Sequence, residues 1–424
     1  MPASLGFMEY SPRVVDSLVE DRLAAVGALL LRGPKGSGKT ATGRRHTRSE
    51  IEIDDSPRVR IALDADPRVL LAGDAPRLID EWQVQPSLWN TVRHEVDRRQ
   101  AKGQFILTGS STPRDEDLPY RHSGTGRFAI LDMRTMSWRE RSWSTGEILL
   151  ESLFEGLDLP AADSDPGVDE IARRLAIGGW PGTLHLGDQA ALQANADYYD
   201  LLAKADAPRA WGGSRDALKV ARALRSIARN VSTECSQATI AKDAGGADGR
   251  LADETVAEYL RTFRDLMVEE DLPAWNTHIR SSATLRRQPK RHLCDTSLCC
   301  QALGVGPEQL LADFEYFGLL FESQAIHDLR VYGAACGASV YHYRDSNGVE
   351  ADAVLERRDG SWAAFEIKLG FGAVDAAAES LLRFAANIDQ ARVGSPRALV
   401  VITGSGFAHR RKDGVLVVPL GCLG

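Results

Sequence analysis

Residues 33–40 read Gly33-Pro34-Lys35-Gly36-Ser37-Gly38-Lys39-Thr40, a complete G-x-x-x-x-G-K-[ST] run. These residue types at this spacing bind phosphates. Glycines let successive backbone N–H groups converge on one anion, and the helix that follows turns its positive end toward it. Lys39 supplies a cation for β- and γ-phosphates, and Thr40 a hydroxyl for Mg²⁺. A bare turn that caps a helix is the competing account, and Lys39-Thr40 after the glycines argues against it. Further on, Leu78-Ile79-Asp80-Glu81 ends an apolar run with two carboxylates. Asp80 suits the Mg²⁺ shell, and Glu81 the base that orients an attacking water. The run Phe105-Ile106-Leu107-Thr108-Gly109-Ser110 ends in hydroxyls, which offers Ser110 as a polar sensor of the γ-phosphate. Arg127, just after Gly124-Thr125-Gly126, is a candidate arginine finger toward the phosphate of a neighbouring subunit in a homo-oligomer.

A second constellation lies near the C-terminus. On an extended run from Val349 to Glu356, alternation sets Glu350 and Asp352 on one face. In Ala364-Phe365-Glu366-Ile367-Lys368-Leu369 it sets Glu366 and Lys368 together, opposite Phe365 and Ile367. Side by side, Asp352 and Glu366 would form an oxygen site for Mg²⁺, with Lys368 stabilising phosphoryl charge or orienting water. Glu322 falls on the apolar stripe of its own helix, where a carboxylate is costly unless paired or metal-bound. Metal-dependent phosphodiester hydrolysis needs such a set; a salt-bridged helix acid and an exposed charge pattern on a strand are the plainer alternatives.

The elements that must position these groups follow from the pattern. An amphipathic helix within residues 14–31 runs into the strand Ala28–Leu31, and further strands are expected at Val59–Leu63, Arg77–Ile79, Phe105–Leu107 and Phe128–Met133. Strands alternating with helices predict a mostly parallel α/β domain over 1–150. Helical sequence follows over 151–275, broken by Gly178-Gly179-Trp180-Pro181-Gly182. Within it Ser236–Asp243 and Asp253–Met267 give a helix-turn-helix outline. Residues 276–424 read as a second α/β domain, with a helix at Leu310–Arg330, β-runs, and a helix at Val374–Ala386.

Composition bounds the rest. The 424 residues, 43% apolar and 26% charged, have room for two or three domains, and no apolar run is long enough to cross a bilayer. The net charge of −8 excludes a polycation that coats nucleic acid, so any such contact is local. Leu285-Arg286-Arg287-Gln288-Pro289-Lys290-Arg291-His292 carries four cations and no acid, which makes 286–291 the expected nucleic-acid contact, DNA before RNA. Six unpaired-looking cysteines and the lack of a secretory signal in the first residues predict a reduced, cytoplasmic protein.

Taken together, GPKGSGKT, LIDEWQ, FILTGSS, GRFAILDMRTMSWRE, LLFESQAIHDL, YHYRDSNGVEADAVLE and AAFEIKLG resemble prokaryotic AAA-type ATPases that carry a C-terminal restriction-endonuclease-like domain of the PD-(D/E)xK kind. The resemblance implies ATP and Mg²⁺ bound by the first domain, a winged-helix segment in the middle, and a nuclease fold at the end. Glu322, Asp352, Glu366 and Lys368 fall on the nuclease-like positions. Two functions remain open at this level. In one, nucleotide state controls a Mg²⁺-dependent nuclease acting on DNA; in the other, the protein is a nucleotide-dependent switch or scaffold that binds nucleic acid or a protein partner without cutting.

Overall fold

The computed structural model describes residues 10–54, 56–110, 124–209, 216–276 and 288–424. It divides into two compact units, Met1–Arg134 and Thr135–Gly424.

The first unit holds a five-stranded parallel sheet. Its strands are β1 (Ala28–Arg32), β2 (Ser49–Glu52), β3 (Arg77–Asp80), β4 (Phe105–Gly109) and β5 (Phe128–Asp132), in the spatial order β2-β3-β4-β1-β5. The central strands are buried along their length because helices cover a parallel sheet on both faces, and their sequences are accordingly continuous apolar runs. Helices α1 (Val15–Ala25), α2 (Lys39–Arg45), α3 (Pro57–Ala65) and α4 (Leu88–Arg99) accompany the sheet. Trp82, Trp89, Val92 and Phe105 are centred in its core, with Trp89 stacked on Phe128 at 4.0 Å.

Residues 59–63 are helical, against the expectation of a strand. The Ser56 hydroxyl accepts the Val59 N–H, and Pro57 sits in the first turn, so a helix start overrides the local apolar pattern. The strand in this stretch is instead Ser49–Glu52, whose half-exposed alternation marks a sheet edge.

In the second unit, residues 135–150 pack with the C-terminal part of the chain. The Trp138 N–H donates to Asp328 Oδ2 at 3.1 Å, the Ser144 hydroxyl to the Leu423 carbonyl at 2.7 Å, and the Leu150 N–H to the Gly424 carbonyl at 2.9 Å. Helices α5 (Leu150–Glu155), α6 (Val168–Ile177) and α7 (Asp188–Leu201) follow, then α8 (Ala217–Arg229), α9 (Gln237–Gly245) and α10 (Asp253–Asp265). Helix α10 buries Val256, Tyr259, Leu260 and Phe263, the i, i+3, i+4, i+7 stripe of its sequence. Antiparallel bridges then pair Glu269 with Leu293 and Leu272 with Lys290.

After α11 (Thr296–Leu303), the expected Leu310–Arg330 helix is two: α12 (Pro307–Ala312) and α13 (Phe314–Ala335). Asp313 divides them, its carboxylate accepting the Tyr316 N–H as the cap of α13. A six-stranded mixed sheet closes the unit: β6 (Ala338–Arg344), β7 (Glu350–Arg357), β8 (Trp362–Lys368), β9 (Leu399–Thr403), β10 (His409–Arg410) and β11 (Leu416–Pro419), in the order β10-β11-β9-β8-β7-β6. Helix α14 (Val374–Asn387) packs on Val354, Trp362 and Ala364, while Gly333 of α13 lies against Leu355 and Val340. Val354 and Leu355 alternate, so the two helices cover opposite faces of the sheet.

Candidate nucleotide site and carboxylate–lysine cluster

The phosphate loop joins the end of β1 to the start of α2. Gly36 and Gly38 take positive φ, 76° and 98°, a conformation that strains any residue with a Cβ. A Cβ on Gly33 would lie 2.1 Å from the Met133 carbonyl oxygen, so the loop is pressed against the chain leaving β5. Lys39 is buried, and its ammonium donates to the carbonyls of Gly33 (2.9 Å) and Pro34 (2.8 Å). Burial pushes its pKa down to about 8, against the pull of Glu81 and Asp80.

Asp80 comes to this loop because β3 ends level with it. The Thr40 hydroxyl donates to Asp80 Oδ1 at 3.0 Å, and the Thr108 hydroxyl donates to the same oxygen. Glu81, the next residue, has φ of 53°, and Gln83 donates to its carboxylate. That strained left-handed turn aims two consecutive carboxylates differently. Ser110 is buried at the end of β4.

The residues fit a magnesium nucleotide. The Ser37 hydroxyl in the loop is fully buried without a hydrogen-bond partner, and Thr40 and Asp80 converge as oxygen ligands for a hard cation. Two supports were not legible as site residues. Thr108, two positions before Ser110, holds Asp80; the alternation of β4 was the available signal. Arg13 is buried and donates to the Ser37 carbonyl (2.9 Å) and the Arg134 carbonyl (2.8 Å), a long-range brace with no local signature.

Arg127 stands elsewhere. Its carbonyl accepts the N–H of Ala28, the first residue of β1, whereas the phosphate loop follows the last; five strand residues separate them by about 15 Å. Its guanidinium pairs with Asp97 at 2.9 Å. It therefore reaches no phosphate held by its own loop.

In the second unit, Glu322, Asp352, Glu366 and Lys368 do come together. The antiparallel register of β7 and β8 sets Ala353 opposite Phe365, and one step on Asp352 opposite Glu366. Lys368 Nζ lies 3.0 Å from Asp352 Oδ2 and 2.7 Å from Glu366 Oε2. Asp352 also accepts the Ile367 N–H at 2.8 Å, and Ser380 of α14 donates to Glu366. Lys290 completes the group, 2.7 Å from Glu322 Oε1 and 3.6 Å from Asp352 Oδ1. Burial raises the carboxyls of Glu322 and Glu366, helped by the charge of Asp352. Burial would raise Asp352 too, but Lys290 and Lys368 hold it below its ordinary value.

The outcome is an alternating chain, Glu322–Lys290–Asp352–Lys368–Glu366, where the spacing led to an expected Mg²⁺ site at Asp352 and Glu366. Among the described residues no group of three or more His, Cys, Asp or Glu side chains is arranged to hold a metal ion. Lys290 and Lys368 answer two of the three carboxylate charges from within the chain.

The basic segment 286–291 also changes meaning. Arg286 and Arg287 lie outside the described residues. Lys290 is committed to the carboxylates, and Arg291 is buried, bonded to Glu269 (3.1 Å) and Asp271. These two cations face inward and are not a nucleic-acid surface. His292 is buried as well, its Nδ1 3.0 Å from the Ser323 hydroxyl. All six cysteines are free thiols. Among the described residues no helix is long and apolar enough to cross a membrane.

Comparison with known proteins places this geometry. Residues 168–309 match a domain of unknown function (DUF8612), and residues 317–423 match another (DUF4143). Neither description names an activity, so the nuclease-like resemblance stands on the residues alone. Among curated proteins, the chain is 26% identical over 343 residues to the uncharacterized proteins Mb2031c of Mycobacterium bovis and Rv2008c of Mycobacterium tuberculosis; the alignment covers 80% of this chain and 70% of each relative. Residues 26–142 match the AAA domain family, and that match, with the parallel sheet and phosphate loop found there, supports an AAA-type ATP-binding domain in the first part of the chain.

Proposed function

We propose that the protein is an AAA-type ATPase that acts as a nucleotide-dependent switch or scaffold, with a C-terminal unit that binds nucleic acid or a protein partner without cleaving. The observation that carries the first part is the meeting of Thr40 and Asp80 at 3.0 Å beneath a glycine-rich loop. A Mg²⁺ ion bound with the nucleotide would supply charge neutralisation and Lewis-acid polarisation at the phosphates. Thr40 and Asp80 would hold that ion, with Thr108 keeping Asp80 turned toward it. Backbone N–H groups from Gly33 through Thr40, with Pro34 and Lys35 shaping the turn, would grip the phosphates. Lys39 would exchange its two carbonyl partners for phosphate oxygens. Glu81 would accept a proton from an attacking water, and Ser110 would sense the γ-phosphate. Arg127, at the far end of the sheet, would serve only a neighbouring copy in a homo-oligomer. The cytoplasm, where ATP is abundant, is the compartment this reading requires.

Isothermal titration calorimetry with ATP and Mg²⁺ tests it. Uptake by the wild-type protein, lost in Lys39→Ala and kept in Glu81→Gln without phosphate release, is the expected pattern. No uptake by the folded wild-type chain would overturn it.

The convergence of Glu322, Asp352, Glu366 and Lys368 in one buried cluster favours a second reading, a Mg²⁺-dependent nuclease under nucleotide control. Cleavage of DNA by the wild-type protein that Asp352→Asn and Glu366→Gln abolish would establish it and replace the non-cleaving switch.

A further inference from the structure

Arg13 is a buried residue just before α1 whose guanidinium bonds two stretches of backbone far from it in sequence. One nitrogen donates to the Ser37 carbonyl in the phosphate loop at 2.9 Å, and another to the Arg134 carbonyl at 2.8 Å. Arg134 is the last residue of the first unit. A single planar side chain therefore holds both the loop and the end of that unit.

Its own backbone is staked to α2. The Arg13 N–H donates to Asp16 Oδ2 at 2.8 Å, and Asp16 Oδ1 meets the Tyr10 hydroxyl at 2.6 Å and His46 Nε2 at 2.9 Å. The Tyr10 hydroxyl also lies 3.0 Å from the Thr42 hydroxyl. Thr42 is within α2 and His46 directly follows it, so Arg13 is fixed against the helix that leaves the loop. The other anchor is equally close, since the Met133 N–H donates to the Arg32 carbonyl at 2.7 Å, immediately before Gly33. Beyond Arg134 the chain is committed at once to the second unit. The Met136 N–H donates to the Gly179 carbonyl at 2.7 Å, and the Thr135 hydroxyl lies 3.1 Å from His327 Nε2.

The bond to Ser37 bears on phosphate. In a planar trans peptide the C=O and N–H point in opposite directions, so a Ser37 oxygen held toward Arg13 turns the Gly38 N–H away from it. A charged donor on that oxygen also polarises the N–H into a stronger donor. Conversely, an anion that draws on the Gly38 N–H strengthens the pull of the Ser37 oxygen on the guanidinium. Its rigid fork shares its donors with Arg134.

We propose that Arg13 is a positioning residue that orients the Ser37–Gly38 peptide for phosphate and passes the occupancy of the loop to the Arg134–Thr135 junction. This rests on the ATP-binding reading above and names how that site is linked to the second unit. By reciprocity, a ligand of the second unit that shifts the junction changes nucleotide affinity by the same factor.

The experiment is hydrogen–deuterium exchange read by mass spectrometry on the full-length chain, with and without Mg²⁺ and the non-hydrolysable β,γ-imido analogue of ATP, beside calorimetry with the same analogue. In the wild type the analogue should slow exchange in the loop and alter it at least about threefold in peptides covering Met136 and Trp138. Arg13→Ala should weaken analogue binding at least about tenfold and, at saturating analogue, abolish the response at Met136 and Trp138. Arg13→Lys keeps the charge without the fork, so it should bind the analogue more tightly than Arg13→Ala and still lack that response. Circular dichroism checks folding, and Arg13→Lys alone carries the test if the alanine variant does not fold. A purely structural brace predicts a lower melting temperature with wild-type affinity and a wild-type junction response; that result in either variant overturns the proposal. Failure of the wild type to bind the analogue would overturn the ATP-binding reading and this proposal with it, whereas binding with an unresponsive junction overturns this proposal alone.

Discussion

The phosphate loop and the C-terminal cluster use the same chemical parts, a buried aspartate on a strand and a nearby lysine, and differ in where the lysine points. Lys39 is spent on the carbonyls of Gly33 and Pro34, and Asp80 Oδ1 is held by the hydroxyls of Thr40 and Thr108 and by the N–H of Glu81. No ammonium group lies among these partners, and the carboxylate oxygens are suited to a hard cation from outside. Asp352, in contrast, is flanked by Lys290 and Lys368 from within the chain. Its charge is answered permanently. The first arrangement gains stability from a ligand and so can report its presence. The second already has counter-ions supplied from within the chain.

The sharpest way to break this contrast is at Glu81. Glu81→Gln should lower ATP turnover by about 10² to 10⁴ while ATP affinity stays near wild type, measured by phosphate release and calorimetry. Equal turnover would remove Glu81 as the base. Next comes Lys290→Ala, which leaves Glu322 and Asp352 buried without their shared cation. A loss of about 3–5 kcal/mol is expected in urea unfolding of the second unit, partly recovered by Mn²⁺, because the vacated position then admits a divalent ion. Wild-type protein without nucleotide should show no such Mn²⁺ effect; if it does, the cluster is a metal site after all. Thr108→Val should weaken Mg²⁺-dependent ATP binding about 10- to 100-fold by freeing the Asp80 carboxylate to turn, with the melting temperature as a control for folding.

The smallest effect concerns an ion pair that belongs to neither site. Glu95 on α4 is bonded to Arg98 and Arg99 at 2.6 Å, which together hold its pKa down to about 2 despite burial. A depressed carboxyl contributes stability that is present above its unfolded value and is lost as pH falls toward 2. Glu95→Gln should therefore cost about 1 kcal/mol at neutral pH and almost nothing near pH 2, as read by urea unfolding at the two pH values.

How far the sequence reaches is seen in particular residues. Gly33 through Thr40 were legible because eight consecutive residues make the loop, and the strands on either side are continuous apolar runs. Asp352, Glu366 and Lys368 were legible as a face because alternation along a strand has a fixed period. The Val59–Leu63 segment misled because an apolar run of that length suits either element, and the decision lay with Ser56 and Pro57 before it. Residues 135–150 were assigned to the first domain by position, yet their hydrogen bonds run to Asp328, Leu423 and Gly424, far along the chain. The basic run at 286–291 misled in another way, since composition counts charges without stating their direction. Lys290 and Arg291 point at carboxylates on other segments.

The sequence by itself determined the phosphate-binding loop, the acidic strand end that follows it, the parallel α/β character of the first part, and the periodic faces of the C-terminal strands. Each of these depends on neighbours along the chain, whose relative positions backbone geometry sets. Only the tertiary structure decided that Thr108 holds Asp80, that Arg13 braces the loop, and that Lys290 enters the carboxylate cluster. Those pairings arise from strand register and loop path, and a buried charge takes whichever partner the fold brings within about 3 Å, a choice that no local pattern records.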